Sequence, residues 1–218
     1  MTAPVVHLHN ISQRASARFT LELPSLTIDP GFTAVLGLNG SGKTTLLRLL
    51  ATVIAPTTGE LVIGGRSVAT ANLAAVRRSL GYLPQDDSVP RRLTVFDHVD
   101  LVAVMRELSP DTRRRRAAVH RALREVELTD VAGERCGRLS GGQRRRVALA
   151  AALAGNAKLL VLDEPDAHLD REQLDHLTQS LRRRATSATI VVATHDEAWA
   201  ATVADRTIRL TAGRVASR

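Results

Sequence analysis

Residues Gly37-Leu38-Asn39-Gly40-Ser41-Gly42-Lys43-Thr44 fit the spacing G-x-x-x-x-G-K-[ST], that of a loop whose backbone wraps a row of phosphates. Glycines at these positions let successive N–H groups turn inward onto phosphate oxygens. The helix expected to follow adds its partial positive charge, and Thr44 offers a hydroxyl to Mg²⁺. Lys43 carries an argument of its own. Of 30 basic residues only Lys43 and Lys158 are lysines, so a lysine in this slot stands out against the chain's arginine habit. A compact ammonium reaches β- and γ-phosphates as a point charge where a planar guanidinium fits poorly. The ligand implied is a nucleoside triphosphate, most simply ATP with Mg²⁺.

A second group of candidates lies in Leu159-Leu160-Val161-Leu162-Asp163-Glu164-Pro165. Four apolar residues read as a strand buried on both faces, delivering two carboxylates to the edge of a sheet where ligands collect. Asp163 suits a Mg²⁺ ligand and Glu164 a general base that orients water. Taken alone, the pair could equally cap a helix. The third element, Leu139-Ser140-Gly141-Gly142-Gln143, precedes a helical run from Arg144 towards Ala154. It reads as a second helix N-terminus with exposed amides and a serine hydroxyl, hence a second anion site.

The elements that position these groups follow from periodicity. Up to about Pro84, short apolar runs at Val5–Leu8, Phe19–Leu23, Thr33–Leu36 and Glu60–Ile63, with a turn at Pro56–Gly59, read as strands around one helix, Leu46–Leu50. From about Thr94 to Ala154 the pattern is helical, with Asp111 as an N-cap. Strands return at Lys158–Leu162 and Thr189–Ala193, separated by a helix over Arg171–Arg184. Such alternation predicts an α/β fold with a mostly parallel sheet and a helical insertion.

Composition narrows the class. The 218 residues suffice for one large domain or two small ones, and the single Cys136 excludes an internal disulfide. No basic-then-apolar leader opens the sequence, and no run approaches the apolar length that spans a bilayer. A net charge of +8 and a pI near 11.1 would ordinarily point to an acidic partner. Aromatics, however, are 2% of the residues, which argues against a surface that stacks nucleic-acid bases. The runs Arg113–Arg116, Arg144–Arg146 and Arg182–Arg184 read first as solvated helix faces, with a docking surface for a phosphate-rich or acidic partner as the alternative.

Over essentially its whole length, and in the same motif order, the chain resembles the ATP-binding subunits of ABC (ATP-binding cassette) transporters. Gly37–Thr44 looks like that family's Walker A, Gln85 in Gly81-Tyr82-Leu83-Pro84-Gln85 its Q-loop, and Leu139–Gln143 its signature. Asp163 and Glu164 look like the Walker B aspartate and catalytic glutamate, Leu169-Asp170 the D-loop, and His195 in Ala193-Thr194-His195-Asp196 the switch histidine.

The resemblance implies a P-loop core (residues 1–85 and 156–218) with an N-terminal antiparallel β subdomain and an inserted helical subdomain (86–155). It implies ATP held by Asn39, Gly40, Ser41, Gly42, Lys43, Thr44, Thr45 and Gln85, and Mg²⁺ surrounded by Thr44, Gln85 and Asp163. Glu164, His195 and Lys43 take catalytic roles. Ser140, Gly141, Gly142 and Gln143 close over the nucleotide of a second subunit, identical or related, with Asp170 at the same junction. A separate transmembrane permease and a peripheral place on the cytoplasmic face of the membrane are implied as well, with export favoured over import. The competing reading is an ABC ATPase acting as a nucleotide switch on ribosomes, DNA or an assembly complex.

Two departures stand out. The aromatic residue that relatives stack on adenine aligns near Arg14 or Ala15, leaving Phe19 or the Arg14 guanidinium for that role. Asp166 is an extra carboxylate expected near the triphosphate.

Overall fold

The computed structural model describes residues 3–17, 19–71, 73–86 and 89–216. Its first sheet is antiparallel, with β1 (Val6–Ser16), β2 (Phe19–Ile28), β4 (Thr58–Ile63) and β5 (Arg66–Ser67) in the order β2-β1-β4-β5. The second holds β3 (Gly31–Leu36), β6 (Leu80–Leu83), β7 (Leu159–Asp163), β8 (Thr189–Ala193), β9 (Arg206–Thr211) and β10 (Arg214–Val215), ordered β10-β9-β3-β8-β7-β6. Every pairing in it is parallel except β9 with β10. The helices are α1 (Lys43–Leu50), α2 (Leu73–Arg78), α3 (Val95–Met105), α4 (Thr112–Glu125), α5 (Gly141–Leu153), α6 (Arg171–Ala185) and α7 (Glu197–Val203).

Side-chain parity explains how the sheet is clothed. Every residue of β7 and β8 is buried, as expected of central parallel strands covered on both faces. Leu160, Leu162, Ile190 and Val192 face one core, shared with α3, α4, α5 and α6. Leu159, Val161, Val191 and Ala193 face the other, where α1 and the antiparallel sheet pack. Each such aliphatic side chain contributes roughly 1.5–3 kcal/mol on burial. In β1 the alternation Val6, Leu8 inward and His7, His9 outward is interrupted by Asn10, at positive φ, before Ile11 turns in. The pairing with β4 shifts register over the same stretch, as a bulge requires.

The helix α5 has no polar face over its C-terminal half, because Val147 to Leu153 are all buried. It runs between α3 and α4 on one side and β6 and β7 on the other. Asp111 caps α4 by accepting from Arg113 N and Arg114 N, as the sequence predicts. The strand expected at Lys158–Leu162 lies one residue further on. The strands β6 and β9 go beyond what the sequence pattern indicated, since β6 is four residues long and β9 alternates arginine and threonine with its apolar residues.

Candidate nucleotide site

Strand register assembles the site. Val35 pairs with Ala193 and Ala193 with Asp163, while Leu83 pairs with Leu162. The residues that leave these parallel strands therefore emerge along one edge: Gly37 after β3, Gln85 after β6, Glu164 after β7 and His195 after β8. None of this adjacency is local in sequence. It is the C-terminal edge at which open α/β sheets bind ligands.

The loop itself is built by glycines at two crowded points. Gly42 has φ 107° and begins α1, and a Cβ there would come within 3.0 Å of Phe19 Cζ and 3.1 Å of Leu21 Cδ1. A Cβ on Gly37 would come within 2.4 Å of the Leu210 carbonyl oxygen. Phe19 thus lies against the loop, packed on the core beneath it. Arg14 is exposed, and its Nε donates to the Ser16 carbonyl. Lys43 is 6% exposed, and its Nζ donates to the carbonyls of Gly37 (2.7 Å) and Leu38 (3.3 Å). The ammonium is thereby held inside the loop. Asn39 and Gly40 form the exposed rim, Thr45 is half-buried, and the Ser41 hydroxyl is buried with no partner among the described residues.

Three segments meet at the Thr44 hydroxyl. It donates to Gln85 Oε1 at 3.2 Å and lies near enough to the Asp163 carboxylate to favour its charged form. A hydroxyl has one proton to give, so this cluster of oxygens holds fewer donors than acceptors. Asp163 is 1% exposed and its Oδ2 has no partner among the described residues. Burial pushes its carboxyl above the usual range and Glu164 pushes the same way, opposed by the Thr44 bond, Arg145 and Lys43. Hydroxyl, amide oxygen and one carboxylate are donors that suit Mg²⁺ shared with substrate phosphates, rather than an all-protein cage. No cluster of three His, Cys, Asp or Glu side chains suited to a metal occurs among the described residues.

Glu164 has φ 47° and its N–H donates to the Ala193 carbonyl at 2.8 Å. Its Oε1 sits 3.4 Å from His195 Nδ1, and the imidazole is 66% exposed. The structure so brings Thr44, Gln85, Asp163, Glu164 and His195 to the loop's edge. Asp166, expected near the triphosphate, accepts a 2.8 Å bond from the Thr194 hydroxyl, next to His195, whose charge acts on it. Burial raises its carboxyl, with the Thr194 bond opposing.

Ser140 to Gln143 stand apart. Ser140 Oγ accepts from Gln143 N at 3.1 Å and Gln143 Oε1 accepts from Ser140 N at 3.0 Å, a capping box that starts α5. Asp170 opens α6 in the same way with Gln173. Among the described residues neither group hydrogen-bonds to the loop.

One site residue escaped the sequence reading. Arg145, in a run expected to be a solvated face, is 5% exposed. Its guanidinium donates to the carbonyls of Pro84 and Gln85 at 2.5 and 3.1 Å, and to those of Asp163 and, at 3.3 Å, Glu164. It ties the end of β6 to the end of β7. Arg144 and Arg146 are committed too, to the Leu139 and Val126 carbonyls.

Residues 21–167 match the protein family described as ABC transporter. The macrolide export ATP-binding/permease protein MacB 1/2 of Paracoccus denitrificans is 35% identical over 98% of the chain, which spans 33% of that relative. The sulfate/thiosulfate import ATP-binding protein CysA of Pseudomonas syringae pv. tomato is 37% identical over 95% of the chain, which spans 65% of it. Among solved structures, the dimeric structure of MJ0796, a bacterial ABC transporter cassette, superposes with a TM-score of 0.88 at 28% identity, covering 97% of each chain. A post-hydrolysis state of the same cassette bound to ADP and Pi also gives a TM-score of 0.88, at 29% identity and the same coverage.

Proposed function

Because the chain belongs to the ABC transporter family, as an ATP-binding cassette, we propose that it binds and hydrolyses ATP as the motor subunit of a membrane transporter. The observation that carries this reading is the convergence of Thr44, Gln85 and Asp163, from three separate segments, on one proton-poor cluster beside the phosphate loop. Thr44, Gln85 and Asp163 would hold Mg²⁺, whose charge would offset that developing on the phosphates.

The chain's own residues do the rest by position. Loop amides and Lys43 hold the β- and γ-phosphates. Glu164 accepts a proton from the water that attacks the γ-phosphorus, as the bond to the β-bridging oxygen breaks. His195, in contact with Glu164, keeps that carboxylate turned towards the γ-phosphate. Hydrolysis then depends chiefly on alignment and charge stabilisation.

Two amide-rich helix starts in one chain, at Lys43 and at Gly141, with no bond between them, support a head-to-tail pair. In that pair Ser140–Gln143 of one copy closes over the loop of another, and Asp170 lies at the junction. The MJ0796 cassette, to which the chain is similar, is likewise dimeric. Among the described residues no helix is long and apolar enough to cross a membrane, so a permease segment would supply the pathway. Named relatives include exporters and importers. Export is the direction proposed here, and it is tested by identifying the permease that co-purifies.

The decisive experiment compares Glu164→Gln and Lys43→Ala. The first is expected to retain ATP, to form a stable dimer in light scattering and to lose about 10²–10⁴-fold in turnover, whereas the second loses nucleotide binding. Wild-type turnover in Glu164→Gln would remove Glu164 from its role.

A further inference from the structure

A cavity of about 1330 Å³ opens at the opposite edge of the parallel sheet from the nucleotide site. Ser79, which precedes β6, and Lys158, which precedes β7, lie in its wall, together with the Gly64-Gly65 turn and the C-terminal end of α3. Asp163 ends the strand that Lys158 precedes, so the two sites stand about 17 Å apart along β7. The cavity exceeds the usual range for small-molecule pockets.

Its charge is one-sided. Seven lining residues are arginine or lysine and Glu107 is the one acid. Some of these cations are already balanced: Arg78 pairs with Glu107 at 2.7 Å and Arg115 with Asp100 at 2.8 Å. Arg66 and Arg121 are exposed and have no ion-pair partner among the described residues. Lys158 donates to the Ser187 carbonyl, which leaves its charge unmatched.

Arg106 sets this cavity apart from a basic surface. It is 8% exposed, and its Nη1 donates to the Ala152 and Ala154 carbonyls at 3.4 and 3.0 Å, at the end of α5. Its Nε and Nη2 are buried with no partner among the described residues. Burial, with Arg184 adding to it, lowers the group to about 10, so it stays charged at neutral pH. A buried guanidinium with idle donors and no carboxylate is costly unless something else supplies the counter-charge.

We infer that this arginine-lined cavity is a further anion site, which takes a compact, soluble polyanion bearing more than one phosphoryl group. The burial of Arg106 behind the exposed Arg66 and Arg121 favours a ligand that can enter the cavity over a duplex or a bilayer. The wall contains no Phe, Tyr or Trp, so recognition is by charge and hydrogen bonding to phosphate oxygens and not by stacking on a base.

The test uses the Lys43→Ala chain, which removes the phosphate loop as a competing site, and titrates sodium tripolyphosphate by calorimetry. One site per chain is expected to remain, and its affinity should fall with added salt. Arg66→Glu with Arg121→Glu in that background should weaken binding at least tenfold without shifting the melting temperature. Arg106→Gln should weaken it as well and abolish thermal stabilisation by tripolyphosphate; should that variant not fold, the exposed pair still decides. Loss of all tripolyphosphate binding in Lys43→Ala, or unchanged binding in Arg66→Glu/Arg121→Glu, overturns the proposal. Citrate binding as tightly as tripolyphosphate overturns the phosphoryl preference. Capture by phosphatidylglycerol vesicles without any response to tripolyphosphate would show a membrane contact in its place.

Discussion

Arg145 Nη2 donates to the carbonyl oxygen of Glu164 at 3.3 Å, so the helix that begins after Ser140 holds the backbone of the proposed water-orienting residue. The same guanidinium reaches Gln85, making one side chain the common support of two strand ends. Arg145→Met leaves several buried carbonyls without a donor and is expected to destabilise the chain by about 2–4 kcal/mol. Arg145→Lys, whose single ammonium cannot span both strand ends, should keep the fold but lower kcat about tenfold with little change in KM. Urea unfolding and steady-state kinetics check the two expectations.

Asp163 should make stability and activity pull in opposite directions. Its folded carboxyl lies above the ordinary 3.8, chiefly through burial and further through Glu164. A raised carboxyl contributes stability that is complete below the unfolded value and is lost as pH rises through the folded one. Asp163→Asn is therefore expected to be more stable than wild type at pH 7, with the advantage shrinking as pH falls towards 3.8. Hydrolysis should be lost throughout. Urea midpoints across that pH range, without and with Mg²⁺ and ATP, provide the measurement.

Ser140 serves as a helix cap whatever else it does. Aspartate caps about as well as serine, so Ser140→Asp should stay within about 0.5 kcal/mol of wild type. Placed against a triphosphate in a second copy, however, the added carboxylate should repel it. Turnover and ATP-dependent dimerisation are expected to fall together, as read by phosphate release and light scattering. Retention of both would remove Ser140 from the proposed interface.

Asp166 is committed to Thr194, and Asp166→Asn can still accept that bond. The Mg²⁺ concentration for half-maximal turnover should therefore stay within about twofold of wild type. A larger shift would place Asp166 among the groups that act on the metal.

The phosphate loop was legible because its chemistry is packed into eight consecutive residues, Gly37 to Thr44, whose spacing leaves few other uses. The buried strands β7 and β8 were legible for a similar reason, since a short unbroken apolar run admits few alternatives. Arg145 was not legible. Successive helical residues point about 100° apart, so three neighbouring arginines with one composition meet three environments, and only packing tells which is inside. The strands β6 and β9 were hidden because β6 is short and β9 is half polar. The turning of Asp166 towards Thr194 depends on the pairing of β7 with β8, a contact between segments that local pattern does not encode.

The 13 residues of α5 form a rod about 20 Å long. Its front end is the Ser140 capping box, and the carbonyls at its rear are gripped by Arg106 in the floor of the arginine cavity. A rod of this kind cannot shift at one end only. In the proposed pair, a second subunit pressing on its front would act as a load on a lever, and a polyanion in the cavity would set how firmly the far end is clamped.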